Sequence, residues 1–332
     1  MLLCRSTKKI IHFIKNNSDF FKKDFAYSDN YLPLAFLCGK RRSNNDNRSI
    51  IQKDIFDVYN ILCLYSEELF EIFSREDLDL MTFEEFLFDV SSAIVLIVES
   101  FGSACELGSF GLINTNIGKL WVINNKKYKD ENSYIEKGPL KKIKKLRPGH
   151  VFYENFNDDG QIELSTDLYV SLSKLDQTNF RRKPYTTVGS TVDITDAGYL
   201  LWFLIDYVNI FGSILENEFI PIIKNIFNVE QIRMTFSSKN NADGAYEWMS
   251  EWIISNLPQI LVKLEVFFEK YNPKYGKYFS LNHGYFRKIN RSATTLPSII
   301  FKSSFIKTQK SRKELSKIIC SKKKEGFDIW KI

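Results

Sequence analysis

The run Ile94-Val95-Leu96-Ile97-Val98 constrains this chain more than any other feature. It is continuous and apolar, and four of its five residues are β-branched, which favours a strand. Such a strand offers no polar face to water, so it needs cover on both sides. That is the position of a strand in a parallel sheet between two layers of helices. Shorter copies of the signal flank it. Leu34-Ala35-Phe36-Leu37-Cys38, ended by Gly39, reads as a buried strand, and so do residues 60–65, 119–123 and 151–156. Helical stretches separate them at about 49–58, 82–92, 103–114 and 134–146. Strands alternating with helices predict an α/β domain over residues 31–157. Ligands of such sheets sit at the carboxyl ends of the strands. That rule selects the loops after Cys38, Tyr65 and Val98.

The alternation stops at Asn157-Asp158-Asp159-Gly160, a natural boundary. Residues 1–30 read as a basic helical extension. Residues 158–300 are helix-rich, with apolar helical patterns at 198–211, 216–227 and 246–268. Two aromatic runs around Asn282-His283-Gly284 then suggest a hairpin, and helices followed by a hairpin are compatible with a winged helix. At 332 residues the chain is long enough for two domains and a tail. Five cysteines without a CxxC pair argue against a disulfide framework and for a reducing cytoplasm. The start, Met1 to Lys9, lacks the apolar core of a signal peptide. No run approaches the roughly 20 apolar residues of a membrane span.

The stretch Val98-Glu99-Ser100-Phe101-Gly102-Ser103-Ala104-Cys105-Glu106-Leu107-Gly108 follows the strongest strand and opens a helix. Gly102 permits a tight turn and Ser103 can cap the helix. Glu106 is then expected in the first helical turn, where the positive end of the helix dipole favours its ionised form. An ionised carboxylate beside a sugar is what a retaining attack on an anomeric carbon requires. The competing reading is structural. Ser103-x-x-Glu106 is also a capping box, and the pattern recurs at Thr82-x-x-Glu85 and Ser311-x-x-Glu314. Other chemistries find little support. His12, His150 and His283 are isolated, and no HExxH, Cys/His cluster, P-loop or GxGxxG is present, so neither a metal site nor a cofactor is expected.

Three segments carry a family likeness: Phe36-Leu37-Cys38-Gly39, the stretch from Glu99 to Phe110, and Tyr134-Ile135-Glu136-Lys137-Gly138-Pro139-Leu140. Residues 32–148 resemble the nucleoside deoxyribosyltransferase family, and especially the transferase-like effectors encoded beside bacterial retrons. Gly-Ser-x-x-Glu-Leu alone also resembles the phosphoribohydrolases that cleave cytokinin nucleotides, and both groups break an N-glycosidic bond. The resemblance implies a flavodoxin-like sheet with Glu106 as nucleophile. It implies a second, substrate-contacting acid at Glu85, and substrate contacts from Gly39, Lys40, Glu99, Ser100, Gly102 and Ser103. Glu67 and Glu68 are lesser candidates. Two positions depart from the pattern: Lys40 stands where a second glycine is common, and Phe101 where proline is common. Lys40 with Arg41 and Arg42 suits a phosphate, pointing to NAD or a (deoxy)nucleotide as substrate. The implied role is a toxin effector of an anti-phage retron. The implied partners are the retron reverse transcriptase and its msDNA, the small reverse-transcribed DNA–RNA molecule, and a higher-order oligomer is compatible. The alternatives are a salvage deoxyribosyltransferase and an inactive DNA-binding regulator.

The formal net charge of +6 is uneven. Residues 301–332 hold ten Lys/Arg and three Asp/Glu, a net +7, which leaves −1 on the other 300. Lys277, Arg287, Lys288, Lys302, Lys307, Lys310, Arg312 and Lys313 lie in a window free of acids between Glu269 and Glu314, interleaved with Tyr278, Tyr285 and other aromatics. Cations track phosphates and rings stack on bases, so this end is expected to bind nucleic acid.

Overall fold

The computed structural model describes residues 4–17, 34–40, 46–59, 61–73, 79–112, 117–175, 185–194, 197–234, 247–282, 284 and 309–327. The chain divides into two compact units, one of residues 31–180 with 236–240, the other of residues 1–30, 181–235 and 241–332. Helix α1 (Arg5–Asn16) opens the chain and belongs to the second unit.

The first unit is built on a six-stranded sheet. Its elements, in chain order, are β1 (Leu34–Cys38), α2 (Asn47–Ile51), α3 (Asp57–Tyr59), β2 (Leu62–Leu64), α4 (Ser66–Phe73), α5 (Leu80–Val90), β3 (Ala93–Val98), α6 (Phe101–Leu112), β4 (Leu120–Asn125), α7 (Lys141–Leu146), β5 (Val151–Phe156), β6 (Ile162–Glu163) and α8 (Thr166–Ser173). A π-helical turn, Gln52–Phe56, joins α2 to α3, and a second, Glu136–Leu140, leads into α7. The strand order is β2-β1-β3-β4-β5-β6, parallel except for β6, which runs against β5. Every residue of β1 and β3 is buried, because helices cover both faces. One face places Leu37, Val95, Ile97 and Ile123 against Ile55, Phe56, Leu168 and Leu172. Thus β6 and α8, beyond residue 157, still build this core.

The second unit carries two three-stranded sheets. One has the order β10-β8-β7, from β7 (Tyr185–Val188), β8 (Thr191–Ile194) and β10 (Gln231–Met234). The other has the order β11-β12-β9, from β9 (Ser213–Leu215), β11 (Phe267–Asn272) and β12 (Gly276–Leu281). Helices α9 (Ala197–Phe211), α10 (Phe219–Phe227), α11 (Glu247–Lys263) and α12 (Gln309–Lys324) complete it. The second arm of the hairpin expected around Asn282-His283-Gly284 lies outside the described residues, and β11 and β12 form a hairpin. Its turn follows Asn272, whose side-chain oxygen accepts the N–H groups of Lys274 (2.9 Å) and Tyr275 (3.1 Å). Gly276 (φ 88°) supplies the left-handed residue. Among the described residues no helix is long and apolar enough to cross a membrane.

Candidate active site

Several buried residues with shifted titration, Cys38, Glu84 and Glu106 among them, gather at the carboxyl ends of β1, β2 and β3. Gly39 follows β1. A side chain there would meet Glu99 Oε1 at 3.1 Å, Ile97 Cβ at 3.3 Å and Arg48 Cγ at 3.4 Å, so only glycine fits without a shift. Glu99, just past β3, accepts the Lys40 backbone N–H (3.0 Å) and the Asn47 side-chain amide (2.7 Å). The same amide donates to the Gly160 carbonyl (3.0 Å), and its oxygen accepts the Ile162 N–H (2.8 Å). One buried asparagine therefore ties three strand-end loops together. No pattern in the sequence distinguished Asn47, since its three partners lie 52 or more residues away.

Helix α6 starts two residues earlier than expected, at Phe101, which changes the meaning of two serines. Ser100 is the cap. Its hydroxyl accepts the Ser103 N–H (3.1 Å), while the Ser103 hydroxyl accepts the N–H of Ser100 (2.9 Å) and of Glu99 (3.0 Å). This is a reciprocal capping arrangement with serine in both roles. Ser103 is thus not the residue before the helix, and Glu106 is not a capping glutamate. Glu106 lies in the second turn, and one of its carboxylate oxygens is buried with no hydrogen-bond partner. The expected stabilisation of its ionised form by the helix start is overridden. Burial pushes the carboxyl up, the Glu67 carboxylate pushes the same way and the Arg48 guanidinium opposes them, which leaves it at about 6. Gly102 is exposed, and an added Cβ would meet only Ser100 Oγ at 3.7 Å, so the turn does not demand glycine. Phe101 beside it is 94% exposed.

A second carboxyl stands near Glu106, and it belongs to Glu84. This residue of α5 is 7% exposed. Burial, and then the neighbouring Glu106, push it up to about 7. Because α5 begins at Leu80, Glu85 lies in its second turn and does not close a capping box with Thr82. The Glu85 side chain lies outside the described residues. Glu84 was legible in principle: it precedes Leu87 and Phe88 by three and four residues, both fully buried, so it is an acid on an apolar helix face.

One cation faces these acids. Arg48, 3% exposed, donates to both oxygens of Glu67 (2.7 and 3.0 Å) and to Asp46 (3.2 Å), and lies over the Tyr65 ring at 4.9 Å. Asp46 also caps α2 by accepting the Ser49 N–H at 2.7 Å. Glu68 is exposed. The Cys38 thiol at the end of β1 is pushed well up by burial and by the charges of Glu106 and Glu84, which makes it a poor nucleophile. Among the described residues no cluster of His, Cys, Asp and Glu could hold a metal ion.

Of the expected nucleic-acid residues, the side chains of Lys277 and Lys313 are described. Lys277 lies on β12 between Glu216 (3.5 Å) and Glu269 (3.4 Å). Lys313 is exposed on α12. Arg287, Lys288, Lys302 and Lys307 lie outside the described residues, as do the side chains of Lys310 and Arg312. Tyr285 lies outside them too. Tyr278, expected to stack on a base, is buried edge-on against Phe327 (5.2 Å between centroids) and belongs to the core.

With the geometry in place, similarity to known proteins adds a direction. The family described as STM3845 retron effector protein matches residues 44–250, more than half of the chain. Over 219 residues the chain is 26% identical to an Escherichia coli protein named "Retron Ec73 putative ribosyltransferase/DNA-binding protein", covering 60% of this chain and 69% of that one. Over 140 residues it is 28% identical to the Escherichia coli protein of the same description from retron Ec86, covering 41% and 46%.

Proposed function

The chain belongs to the STM3845 retron effector family, and from that premise we propose that its sheet unit cleaves an N-glycosidic bond as the toxin effector of an anti-phage retron. The observation that carries the reading is Glu106: a carboxylate at the strand ends with a buried, unpartnered oxygen, beside a second carboxyl that burial keeps partly protonated. The strand order 2-1-3-4-5 is that of flavodoxin-like sheets, whose ligands bind at this edge.

Ionised Glu106 attacks the anomeric carbon, and the bond to the base nitrogen breaks. Protonated Glu84 gives its proton to the departing nitrogen. Water then hydrolyses the glycosyl ester. The sugar keeps the hydroxyl, Glu106 is freed, and the second proton of water returns to Glu84. Glu84 thus replaces Glu85 as the second acid. NAD or a (deoxy)nucleotide is the substrate class, and no cofactor is needed. Nicotinamide leaves as a neutral molecule without taking a proton, whereas an adenine or pyrimidine anion needs one. Glu84→Gln therefore discriminates the substrates: it slows nucleotide cleavage strongly and NAD cleavage little.

The relatives' names favour a second reading, transfer of the glycosyl group to an acceptor. Within the second unit, helices α9, α10 and α11 with the β11-β12 hairpin are read as a winged-helix-like module. On this reading it binds nucleic acid and engages the retron reverse transcriptase and its msDNA in the cytoplasm. The deciding experiment incubates purified protein with NAD, nucleotides and nucleosides, with and without free base. Free sugar without an acceptor supports hydrolysis, product only with an acceptor supports transfer, and no turnover of any substrate overturns both.

A further inference from the structure

The net positive charge of this protein is concentrated in two helices at opposite ends of the chain. Helix α1 holds four Lys/Arg and no acid, and α12 holds seven with one acid, a net +10 on 28 residues. The chain as a whole is +6, so the other 304 residues sum to −4. Folding brings these helices together. Lys9 Nζ donates to Ser321 Oγ at 3.2 Å, and the Ser6 N–H donates to Glu325 Oε2 at 3.2 Å. As the residue number rises on α1 it falls on the partner, so the helices lie antiparallel.

Buried polar contacts hold both helices to the unit's core. Cys4 Sγ (3.1 Å) and the Thr7 hydroxyl bond the buried Glu218. Lys322 Nζ, itself buried, donates to the Ser213 carbonyl, and Asn272 holds the Glu325 carbonyl at 3.0 Å. Exposed cations remain on the opposite face of each helix. On α1 the buried positions 6, 7, 10, 13 and 14 leave Arg5, Lys8 and Lys15 exposed on the opposite face. On α12, Lys313, Lys317 and Lys324, spaced by four and seven, share one exposed face. Like charges side by side repel, and Glu314 is the one acid within the two helices; a polyanion lying across both helices relieves the repulsion.

We propose that α1 and α12 together form one surface for a nucleic-acid backbone, with the first helix of the chain contributing phosphate contacts equal to those of the last. Packed helices lie about 8–10 Å apart, and sixteen helical residues span about 24 Å. Two parallel rows of cations on that scale suit a run of regularly spaced phosphates. The inference rests on the nucleic-acid reading of the second unit and adds an element that reading did not contain.

The test titrates salt against binding of the full chain to short single-stranded and duplex oligonucleotides. One variant carries Arg5→Gln, Lys8→Gln and Lys15→Gln; a second carries Lys313→Gln, Lys317→Gln and Lys324→Gln; a third replaces Lys8 and Lys15 by arginine. The first two should each lower the slope of log K against log salt by roughly 2 to 3, since each lost phosphate contact removes about 0.7 to 0.9. Melting should be retained, and the arginine variant should bind like the parent. If only the second variant loses slope, the two-helix surface is wrong while nucleic-acid binding by the second unit stands. If neither loses slope although the parent binds, both fail. Binding to phosphatidylserine vesicles but to no oligonucleotide also overturns the inference, because the cations then face a membrane.

Discussion

At Glu106 burial and the Glu67 carboxylate oppose the Arg48 guanidinium, and the balance predicts a pH profile. Activity requires ionised Glu106, so it rises as pH passes about 6. For a leaving group that needs a proton it falls again as Glu84 ionises near 7. The two limbs belong to a coupled pair, and kcat/KM against pH reads them together. Glu84→Gln should abolish the alkaline limb and leave the acid limb in place, because protonated Glu84 carries no charge while Glu106 titrates. An alkaline limb surviving in that variant would assign the proton to another group. Both carboxyls are raised above their ordinary value of 4.5. Their contribution to stability is therefore complete below that value and is lost as pH rises through about 6 and 7. Glu106→Gln should abolish turnover and toxicity with the fold intact, since the residue takes no part in capping. Near-parental turnover of the purified variant would remove Glu106 from the mechanism. The candidacy of Glu106 was legible from its place after a fully apolar strand. Its protonation was not, because that depends on Glu67 and Arg48, 39 and 58 residues away.

At the scale of the element, α6 shows how a local pattern misleads by a few residues. Ser100 and Ser103 are both competent caps, and sequence spacing cannot choose between them. The choice falls to Ser100 because the Ser103 hydroxyl also accepts the Glu99 N–H at the end of β3. Ser100→Ala should cost about 1 kcal/mol, an ordinary capping loss. Ser103→Ala should cost more, since two backbone donors then lose their acceptor; urea melts of the two variants compare them. The aromatic run in β12 looked like a stacking platform for bases, yet the strand is buried on both faces from Tyr278 to Leu281, and Tyr278 packs against Phe327. Tyr278→Ala should therefore destabilise the second unit by about 3–5 kcal/mol, as loss of a large buried ring does. A variant with unchanged melting and weakened oligonucleotide binding would reverse that assignment.

Across the whole molecule, charge separates what the chain announces from what it conceals. With +10 on α1 and α12 against −4 elsewhere, repulsion within that pair should weaken as salt screens it. The melting temperature of the second unit should accordingly rise from low to physiological ionic strength, and a flat response would mean that the cations are already neutralised by neighbouring acids. Local pattern alone was enough for a parallel sheet around Ile94–Val98, with its candidate edge after Cys38, Tyr65 and Val98. Hydrophobic runs and strand–helix alternation are local properties that admit few foldings. The same pattern made Glu106 a candidate at that edge. Only the tertiary structure decided that Glu84 is the acid beside it and that Asn47 joins three loops. Only the tertiary structure joined the first helix to the last. Each of those facts depends on side chains brought together from distant parts of the chain, where the cost of burying a charge or a polar group is settled by neighbours that no local pattern records.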